Sequence, residues 1–541
     1  MKKVLLSLLA LFTLALGVYA QSIDNSFFEE VSYVGAFDGT NDWTEGWTEW
    51  NPVDAEYPAA TVTKGNAQFS RSTGLHITAD ETWSGVIKLD GWVYVDAGAT
   101  LTINEGTIIR GTAKSGLFIE RGGKIKAIGS KTAPIVFTSN QAAGLRAQSN
   151  WAGVVICGNA PINTPSGTSQ AEGGIESEYG GDNPADDSGI LKYVRIEFPG
   201  FEVSTGSEIN GLTLAGVGSG TTLEYIQVSY SGDDGYEWFG GTVNAKHLIS
   251  YKTEDDDFDT DYGFSGMVQF GLISRDPDIF DSDTGNAFES DNDANGSANE
   301  PLTKGVFSNV SAFGPFANKS LTLNEKHEDG STMRIRRSSR LSIYNSLFLG
   351  WGNGPRLESK NTMDAAEAGT LNIKNCIIAG DKNTNYRGSN DGFDAAGLET
   401  WYLTAEFRNS MLSANEDAKI VNPFNYNTFN FQPMENSPVL EASYWTTTPA
   451  VDYKDVNSTR VKNYPNPFSG KTNIELQLKK NAYVQIEVVN ISGSVVTVLQ
   501  SGDLYEGTHK FVFDASGLPT GLYFGKVKIG NDAQTLKMIT K

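Results

Sequence analysis

The fold is decided by three acidic and aromatic stretches in the middle of the chain, DDGYEWFGG (233–241), DDDFDTDYG (255–263) and PDIFDSDTG (277–285), hereafter the three acidic repeats. Four of their positions recur at a step of 22 residues. These rows are Asp234, Asp256 and Asp278; Tyr236, Phe258 and Phe280; Glu237, Asp259 and Asp281; and Gly241, Gly263 and Gly285. A repeat of about 20–25 residues built from short strands is typical of one turn of a parallel β-helix.

The repeat also predicts which side chains stack on one another. Successive coils of a β-helix lie about 4.8 Å apart, so residues one step apart form ladders. The aromatic row is therefore expected in the core, and the glycine row at a shared corner. Two further ladders are predicted: Ile226, Leu248 and Phe270 in the preceding strand, and Asn309, Asn345 and Asn375 at a turn of the longer, later coils.

Short alternating strands extend this pattern along most of the chain from Trp92 onwards. We therefore predict an all-β protein with a right-handed parallel β-helix over residues 91–445. A polar, proline-bearing linker follows over 446–461. Alternating strands at a spacing of eight to twelve residues then predict a small immunoglobulin-like β-sandwich over 462–541.

The segment between residues 21 and 90 is irregular and aromatic, with Trp43, Trp47 and Trp50 close together. Indole faces stack on sugar rings, so the three could form a carbohydrate platform. Repeat domains also need a cap over their first coil. We favour the cap.

Composition and the first residues bear on location. The chain of 541 residues has 42 Lys and Arg against 65 Asp and Glu, a net charge of -23, which argues against nucleic-acid and anionic-membrane partners. MKKVLLSLLALFTLALGVYA predicts a signal peptide over 1–20, and no later apolar run reaches membrane length. We expect an exported protein without a transmembrane segment. Cys157 and Cys376 could pair, or could lie buried separately.

The acidic repeats predict a metal site. Between Glu254 and Asp293 there are thirteen acidic residues and one basic residue, Arg275. Like charges brought together by ladders repel unless a cation lies among them, and Ca²⁺ accepts six to eight oxygens in irregular geometry. The predicted ligands are Asp234, Glu237, Asp256, Asp257, Asp259, Asp261, Asp278, Asp281 and Asp283, with Asp291, Asp293 and Asn295 of DNDANG as a second possible site. The alternative is a solvated acidic face without a bound ion.

The last eighty residues closely resemble the C-terminal sorting domain of the type IX secretion system. The residues that carry the resemblance include Tyr464, Pro465, Asn466, Pro467 and Phe468 at the start, then Gly493, Gly521, Tyr523 and Lys537. The resemblance implies a Bacteroidota-type cell envelope, export through the periplasm by the type IX machinery, and release or attachment at the outer-membrane surface. A module with a packing or binding role is the alternative.

The middle of the chain resembles secreted right-handed β-helix proteins of the same bacteria. The shared phrases include YVGAF, GWTEWNP, DDGYEWFGGTVNAKHL and FESDND. That family has no settled activity, so the resemblance implies fold and location and leaves the chemistry open.

Two classes of function remain open from the sequence. A secreted or surface protein could bind extracellular polysaccharide through exposed aromatic side chains, with Trp238, Tyr262 and Trp351 as candidates, or could serve as a structural or adhesive rod. Alternatively, it could be a calcium-dependent polysaccharide lyase in which Lys252 or Arg275 takes the proton next to a uronate.

Overall fold

A computed structural model describes residues 27–203, 208–281, 283–426, 428–440, 460–478, 482–490, 494–505, 507–529 and 532–541. The predicted signal peptide, most of the predicted linker and Gly493 lie outside the described residues. The chain divides into two compact units, one up to residue 447 and one from residue 448.

The first unit is built almost entirely from short strands. In chain order they are β1 (Val62–Gly65), β2 (Leu75–Ile77), β3 (Glu81–Trp83), β4 (Val86–Asp90), β5 (Trp92–Val95), β6 (Thr100–Ile103), β7 (Ile108–Gly111), β8 (Gly116–Ile119), β9 (Lys124–Ile128), β10 (Ile135–Ser139), β11 (Gly153–Cys157), β12 (Ser169–Gln170), β13 (Glu178–Tyr179), β14 (Gly189–Glu197), β15 (Leu212–Ala215) and β16 (Thr222–Ser229). They continue with β17 (Tyr236–Phe239), β18 (Asn244–Tyr251), β19 (Phe258–Asp261), β20 (Met267–Ser274), β21 (Phe288–Ser290), β22 (Val306–Phe313), β23 (Arg334–Ile335), β24 (Ser342–Tyr344), β25 (Leu347–Leu349), β26 (Arg356–Leu357), β27 (Ile373–Lys374), β28 (Ile377–Ala379), β29 (Ser410–Leu412), β30 (Ile420–Asn422) and β31 (Asn430–Pro433). The described helices are short: α1 (Glu325–Asp329), α2 (Lys360–Glu367) and α3 (Ala395–Tyr402), with 3-10 turns at Ala405–Phe407, Asn415–Ala418 and Pro438–Leu440.

These strands form a parallel β-helix with three faces. Ten strands from β2 to β26 form one sheet, in which every strand pairs in parallel with the strand of the next coil. The other two faces share long strands. The first half of β14 pairs with β9 and its second half with β10, so this strand bends from one face to the next.

The bend is made by a ladder of left-handed residues that are skipped by the strand pairing. Tyr193, Tyr225, His247 and Phe270 have positive φ, and their rings stack with centroids 4.5, 4.2 and 4.9 Å apart. Left-handed backbone is unfavourable for aromatic residues, so the continuous ring stack offsets local strain. The same corner continues with the predicted asparagines.

The asparagine ladder is confirmed. Asn309, Asn345 and Asn375 also have positive φ, which asparagine tolerates better than most residues. The Asn375 Nδ2 donates to Asn345 Oδ1 at 2.9 Å, and the Asn345 Nδ2 donates to Ser308 Oγ at 3.0 Å. The amides therefore join adjacent coils along the stack.

The 22-residue register is correct for the first two acidic repeats and wrong for the third. Tyr236 pairs with Phe258 as expected, but Phe258 pairs with Phe288, in a coil of 30 residues. The third repeat is a loop inserted before β21, and Phe280 in that loop is 40% exposed. Tyr236, Phe258 and Phe288 are the rings that stack in the core, with successive centroids 5.5 Å apart.

Two other predicted ladders are also wrong at their third member: the glycine row because of this insertion, and the preceding strand because the step from Leu248 to its partner Gly271 is 23 residues. Gly285 precedes its strand, whereas Gly241 and Gly263 follow theirs. In the preceding strand, Leu248 pairs with Gly271, and Phe270 is displaced to the left-handed corner.

The aromatic segment before β1 lies along the flank of the β-helix. Trp47 is buried against the edges of Tyr193 and Tyr225, while Trp43 and Trp50 are half-buried. Hydrogen bonds attach the segment to successive coils, joining Gly35 to Asn345, Glu49 to Gln227 and Pro52 to Arg146. Its contacts therefore run along several coils, and the parallel strands already begin at Val62.

The two cysteines are free and buried separately.

The second unit contains two antiparallel sheets. Its strands are β32 (Arg460–Tyr464), β33 (Lys471–Leu478), β34 (Ala482–Asn490), β35 (Val495–Leu504), β36 (Gly507–Asp514), β37 (Gly521–Ile529) and β38 (Asp532–Thr540). The sheet orders are β32–β33–β36 and β35–β34–β37–β38. Phe468, Ile474, Val484, Phe513 and Met538 are among the residues of its own apolar core.

The sequence motif at the start of this unit binds its last strand. The Asn466 Nδ2 donates to the Lys537 carbonyl at 2.6 Å, and the Ile539 amide donates to Asn466 Oδ1 at 2.9 Å. Phe468 is 2% exposed. The Tyr523 hydroxyl donates to the Pro519 carbonyl at 2.8 Å. Residues far apart in the motif thus hold the two ends of the unit together.

Candidate metal centre

One outward-facing row on the ten-stranded sheet changes character along the β-helix. Strand pairing aligns Tyr94, Phe118, Val155, Thr213, Glu237, Asp259, Glu289, Arg334 and Arg356, hereafter the outer row. The row is apolar in the early coils, where a covering segment made of residues 160–180 and 208–209 packs Ile175 and Tyr179 against it. It is acidic in the middle and basic at the end.

A second column, at the turn before the same sheet, carries side-chain acceptors. Asp234 Oδ1 accepts the amide of Asp256 at 2.8 Å. In the next coils Asp256 Oδ1 accepts the amide of Asn286, and Asn286 Oδ1 accepts the amide of Ser331 at 3.0 Å. Asn210 occupies the position one coil before Asp234. In this turn column, aspartate and asparagine side chains thus both accept a backbone amide of the next coil, and only aspartate adds a negative charge.

The outer row and the turn column meet in two triads of carboxylates. The first is Asp233, Asp234 and Asp255, and the second is Asp234, Glu237 and Asp259. Within each triad, one oxygen per residue lies within 4.8 Å of the others. The two triads share Asp234, and their five residues are hereafter called the acidic basin. Oxygen donors in this arrangement suit a hard divalent cation.

More carboxylates surround the basin. Glu172 and Glu208 belong to the covering segment, and Asp281 belongs to the inserted third repeat. Each of the three raises the pKa of Asp233 by charge repulsion. Asp256 and Asp261 lie beside the basin on the turn column and the strand β19.

Burial and mutual repulsion raise every pKa in the basin. Burial is the main cause for Asp233, Asp234 and Glu237, and neighbouring carboxylates add to it. Burial and the charge of Glu289 raise the pKa of Asp255 to about 7. The pKa of Asp259 is raised well above its usual range by the same two causes. A carboxylate cluster with these properties takes up either protons or a metal cation.

Two oxygens in the basin accept no hydrogen bond from the described residues. Oδ1 of Asp255 and Oδ1 of Asp259 are shielded from solvent and unpartnered. Asn210 beside them is 1% exposed; its Nδ2 donates to Glu237, and its Oδ1 is also shielded and unpartnered. Buried polar atoms are normally satisfied, so these oxygens point to a ligand.

Further along the outer row, carboxylates are neutralised within the chain. Arg336 donates to Asp291 at 2.8 Å and also pairs with Glu289. Arg337 reaches Asp291 at 2.6 Å, and Arg334 reaches Glu289 at 3.2 Å. The basic run of the sequence therefore pairs with acidic neighbours on the same face.

The prediction that Asp257 is an outward metal ligand is wrong. Its carboxylate is fully buried and pairs with the Arg275 guanidinium at 2.8 Å. It also accepts the hydroxyls of Ser250 and Thr253. Arg275 further donates to the carbonyls of residues 253, 254, 255 and 286, so it holds the turn that presents Asp255.

Both predicted catalytic bases form ion pairs within the chain. Arg275 is engaged in this buried pair. Lys252 forms an ion pair with Asp276 at 2.8 Å and lies 5.1–5.4 Å from the ring centroids of Tyr230, Tyr251 and Tyr426. Although burial alone would lower it, the Lys252 pKa is raised by Asp276 and Tyr230.

Several other predicted ligands are not members of the two triads. Asp278 and Asp283 are exposed on the inserted loop, and the charge of Asp283 contributes to the raised pKa of Asp255. At the second predicted site, both oxygens of Asp291 pair with arginines. Asp293 accepts hydrogen bonds from the amides of Asn295 and Ser297, in its own turn.

The predicted aromatic platforms are mostly wrong. Trp238 and Trp351 are 0% and 1% exposed, because strand alternation turns both into the core. Tyr262 is half-buried. Sequence reasoning also missed Asp233 and Asp255 as basin residues, although they are 22 residues apart and a strict application of the repeat could have found them. Nothing in the sequence pattern singled out Glu172 or Glu208.

Residues 74–419 match the family described as the pectate-lyase-like β-helix domain. The chain belongs to this family. The match covers the parallel coils and the acidic basin of this β-helix protein, and it agrees with the parallel strand order described above.

Residues 462–541 match the secretion system C-terminal sorting domain. The presence of this domain indicates secretion or display at the cell surface. Among the residues that the structure describes, no helix has the length and apolar character needed to cross a bilayer.

A solved tailspike protein 2 from Escherichia coli O157:H7 bacteriophage CAB120 is similar to this chain at 10% identity and a TM-score of 0.23. The match covers 84% of this chain and 64% of the tailspike. No curated protein matches the chain significantly.

Proposed function

We propose that this β-helix protein is a calcium-stabilised component of an extracellular or cell-surface layer. The observation that carries the proposal is the acidic basin. Its five carboxylates form no salt bridge among the described residues, and two of them hold a shielded, unpartnered oxygen. A bound cation supplies both the missing charge and the missing partner.

The size of the repulsion supports a bound ion. Two unit charges 4.8 Å apart repel by about 3 kcal/mol at the effective dielectric constant of a protein surface. Several such pairs coexist in the basin. Calcium suits the site better than magnesium, because the carboxylates come from two coils in an irregular arrangement and Mg²⁺ demands near-ideal octahedral geometry.

Thermal melting tests the stabilising role. A ligand that binds the folded state at about a hundred times its dissociation constant contributes about 2.7 kcal/mol, which raises the melting midpoint of a unit this large by a few degrees. We expect calcium to raise the midpoint over chelator, and magnesium to raise it less. The double variant Asp255→Asn with Asp259→Asn should lose the shift.

The matched control is the double variant Asp278→Asn with Asp283→Asn, which removes two acidic charges from the exposed loop. It should keep most of the calcium shift, because neither residue belongs to a triad and only the charge of Asp283 acts on one triad member, Asp255. Identical midpoints in calcium and chelator for the wild-type chain would leave only a solvated acidic face.

We further propose that the layer component binds acidic polysaccharide at the rim of the basin. With Trp238 and Trp351 buried, the support is electrostatic: a calcium ion with free coordination positions attracts carboxylate or sulfate groups, and Arg337 at the neighbouring coil is 42% exposed. Binding to a uronate polymer should require calcium, and a neutral polymer should not bind. Equal retention on both polymers would contradict this part.

The lyase hypothesis receives no support from the residues predicted to carry it. Lys252 and Arg275 are both tied up in ion pairs. Release of unsaturated product from a uronate polymer would nevertheless reverse this conclusion, and its absorbance is simple to measure.

Finer features of the fold and of export are also proposals. A right-handed coil fits the strong preference of parallel crossovers, and the two antiparallel sheets of the second unit fit an immunoglobulin-like sandwich. Recognition by the type IX machinery predicts that a chain lacking residues 461–541 stays inside the envelope of a type IX host. Normal appearance of the truncated chain outside the cell would contradict it.

A further inference from the structure

We infer that the acidic basin binds two calcium ions that share Asp234; this inference rests on the proposed calcium binding. One ion lies in the turn triad of Asp233, Asp234 and Asp255. The other lies in the face triad of Asp234, Glu237 and Asp259.

The first argument is the distribution of unpartnered oxygens. Asp255 belongs only to the turn triad, and Asp259 belongs only to the face triad. Each contributes one shielded oxygen that accepts no hydrogen bond from the described residues. A single ion in either triad leaves the other oxygen buried without a partner, which is costly.

The side chain of Asn210 provides an independent observation at the face triad. It is 1% exposed, its amide nitrogen is engaged by Glu237, and its oxygen is shielded and unpartnered. An amide oxygen is a good calcium ligand, and this one adds a neutral donor beside the carboxylates.

The second argument is charge. The five basin residues carry five negative charges when ionised, so one divalent ion leaves three and two divalent ions leave one. Among the described residues, the arginines near the basin are committed elsewhere: Arg275 pairs with Asp257, and Arg336 and Arg337 pair with Glu289 and Asp291. Two ions therefore bring the acidic coils close to the neutrality that the later coils reach with arginine.

The third argument is that Asp234 has the capacity to be shared. An ionised carboxylate has two oxygens and about four lone-pair positions. Asp234 Oδ1 uses one of them to accept the amide of Asp256. The remaining positions can face two ions on either side.

Native mass spectrometry of the full chain, titrated with calcium alone, counts the ions. We expect two per chain for the wild type, one for Asp255→Asn, one for Glu237→Gln, and none for Asp234→Asn. We expect Asp234→Asn to fold normally, because Asn286, one coil beyond Asp256, already accepts a backbone amide with its side-chain oxygen. Its circular dichroism spectrum should match that of the wild type. Asp278→Asn is the control and should keep both ions.

The outcomes separate this inference from the proposed function. One ion in the wild type, or one retained ion in Asp234→Asn, overturns the shared pair and leaves calcium binding intact. No ion in the wild type overturns both. Independent loss of one ion in each single-triad variant, with loss of both in Asp234→Asn, supports the pair.

Discussion

Two regions of one outward face differ in whether their carboxylates have basic partners. In the coils of Glu237 and Asp259, carboxylates are gathered without a basic partner. In the coils of Glu289 and Arg334, which continue the same row, Glu289 and the nearby Asp291 face guanidinium groups. Both regions lie on parallel strands of the same sheet, so along this row the contrast is one of side-chain chemistry.

The comparison supports the proposal that the acidic coils bind a cation. Parallel ladders force residues of adjacent coils into contact, so a row of acids must be balanced within the row or from outside it. The later coils balance themselves with arginine. The acidic coils leave shielded oxygens on Asp255 and Asp259 without a partner among the described residues, and the proposed cation would supply one.

The largest effect is expected inside the acidic coils, where their own arginine points inward. Arg275→Met removes the partner of Asp257, which is fully buried. Breaking such a pair costs about 3–5 kcal/mol, and calcium should not restore it because the site is interior. Denaturant unfolding measures the loss. Adding Asp257→Asn should recover part of it, and an unchanged midpoint in Arg275→Met would contradict the account.

A smaller effect is expected from converting the later coils into acidic ones. Arg336→Gln leaves Glu289 and Asp291 with weaker pairing. Because the Arg336 side chain is 15% exposed, we expect a loss of about 2 kcal/mol in chelator. Calcium should now stabilise this variant more than the wild type, because the acidic basin has been extended. An equal calcium-induced shift of the melting midpoint in both chains would contradict this comparison.

The pH dependence sharpens the same contrast. Carboxyls whose pKa is higher in the folded chain hold their protons more tightly when folded, so without calcium they stabilise the fold fully below about pH 4. That contribution is lost as the pH rises through about 7 to 8, the pKa values of Asp255 and Asp261. In chelator the melting midpoint should therefore fall between pH 5 and pH 8. With calcium the fall should shrink, because the ion binds the deprotonated form, and a rising midpoint in chelator would oppose this account.

The smallest effect is expected on the inserted loop. Asp278→Asn and Asp283→Asn remove exposed charges, and surface substitutions usually change stability by less than about 0.5 kcal/mol. Calcium affinity should fall only slightly, because the charge of Asp283 acts on Asp255 from outside the triads. A large loss of affinity would place the ion at the loop.

Much of the fold could be predicted from the repeat, because ladders impose a chemical periodicity that a sequence displays directly. Tyr236 and Phe258 stack as their spacing requires. The prediction failed where a loop was inserted, since Pro277–Gly285 keeps the composition of the repeat without forming its strand. Composition alone indicates where an acidic segment lies. Only the strand pairing shows which aromatic residue joins the ring stack in the core, here Phe288.

A carboxylate cluster was predictable from the sequence, but only some of its residues were. Asp234, Glu237 and Asp259 follow from the spacing, and Asp233 and Asp255 share it. Long-range contributions from Glu172 and Glu208 depend on how the covering segment returns to the sheet, which no local pattern specifies. The inward turn of Trp238 follows from alternation and removes it from the surface.

Titration calorimetry with calcium on the full, chelator-stripped chain at pH 7.5 tests the central claim most directly. The account predicts a saturable heat of binding in the wild type. The same heat should appear in Asp278→Asn with Asp283→Asn and should be lost in Asp255→Asn with Asp259→Asn. No saturable heat in the wild-type chain, or an undiminished heat in the basin variant, would contradict it.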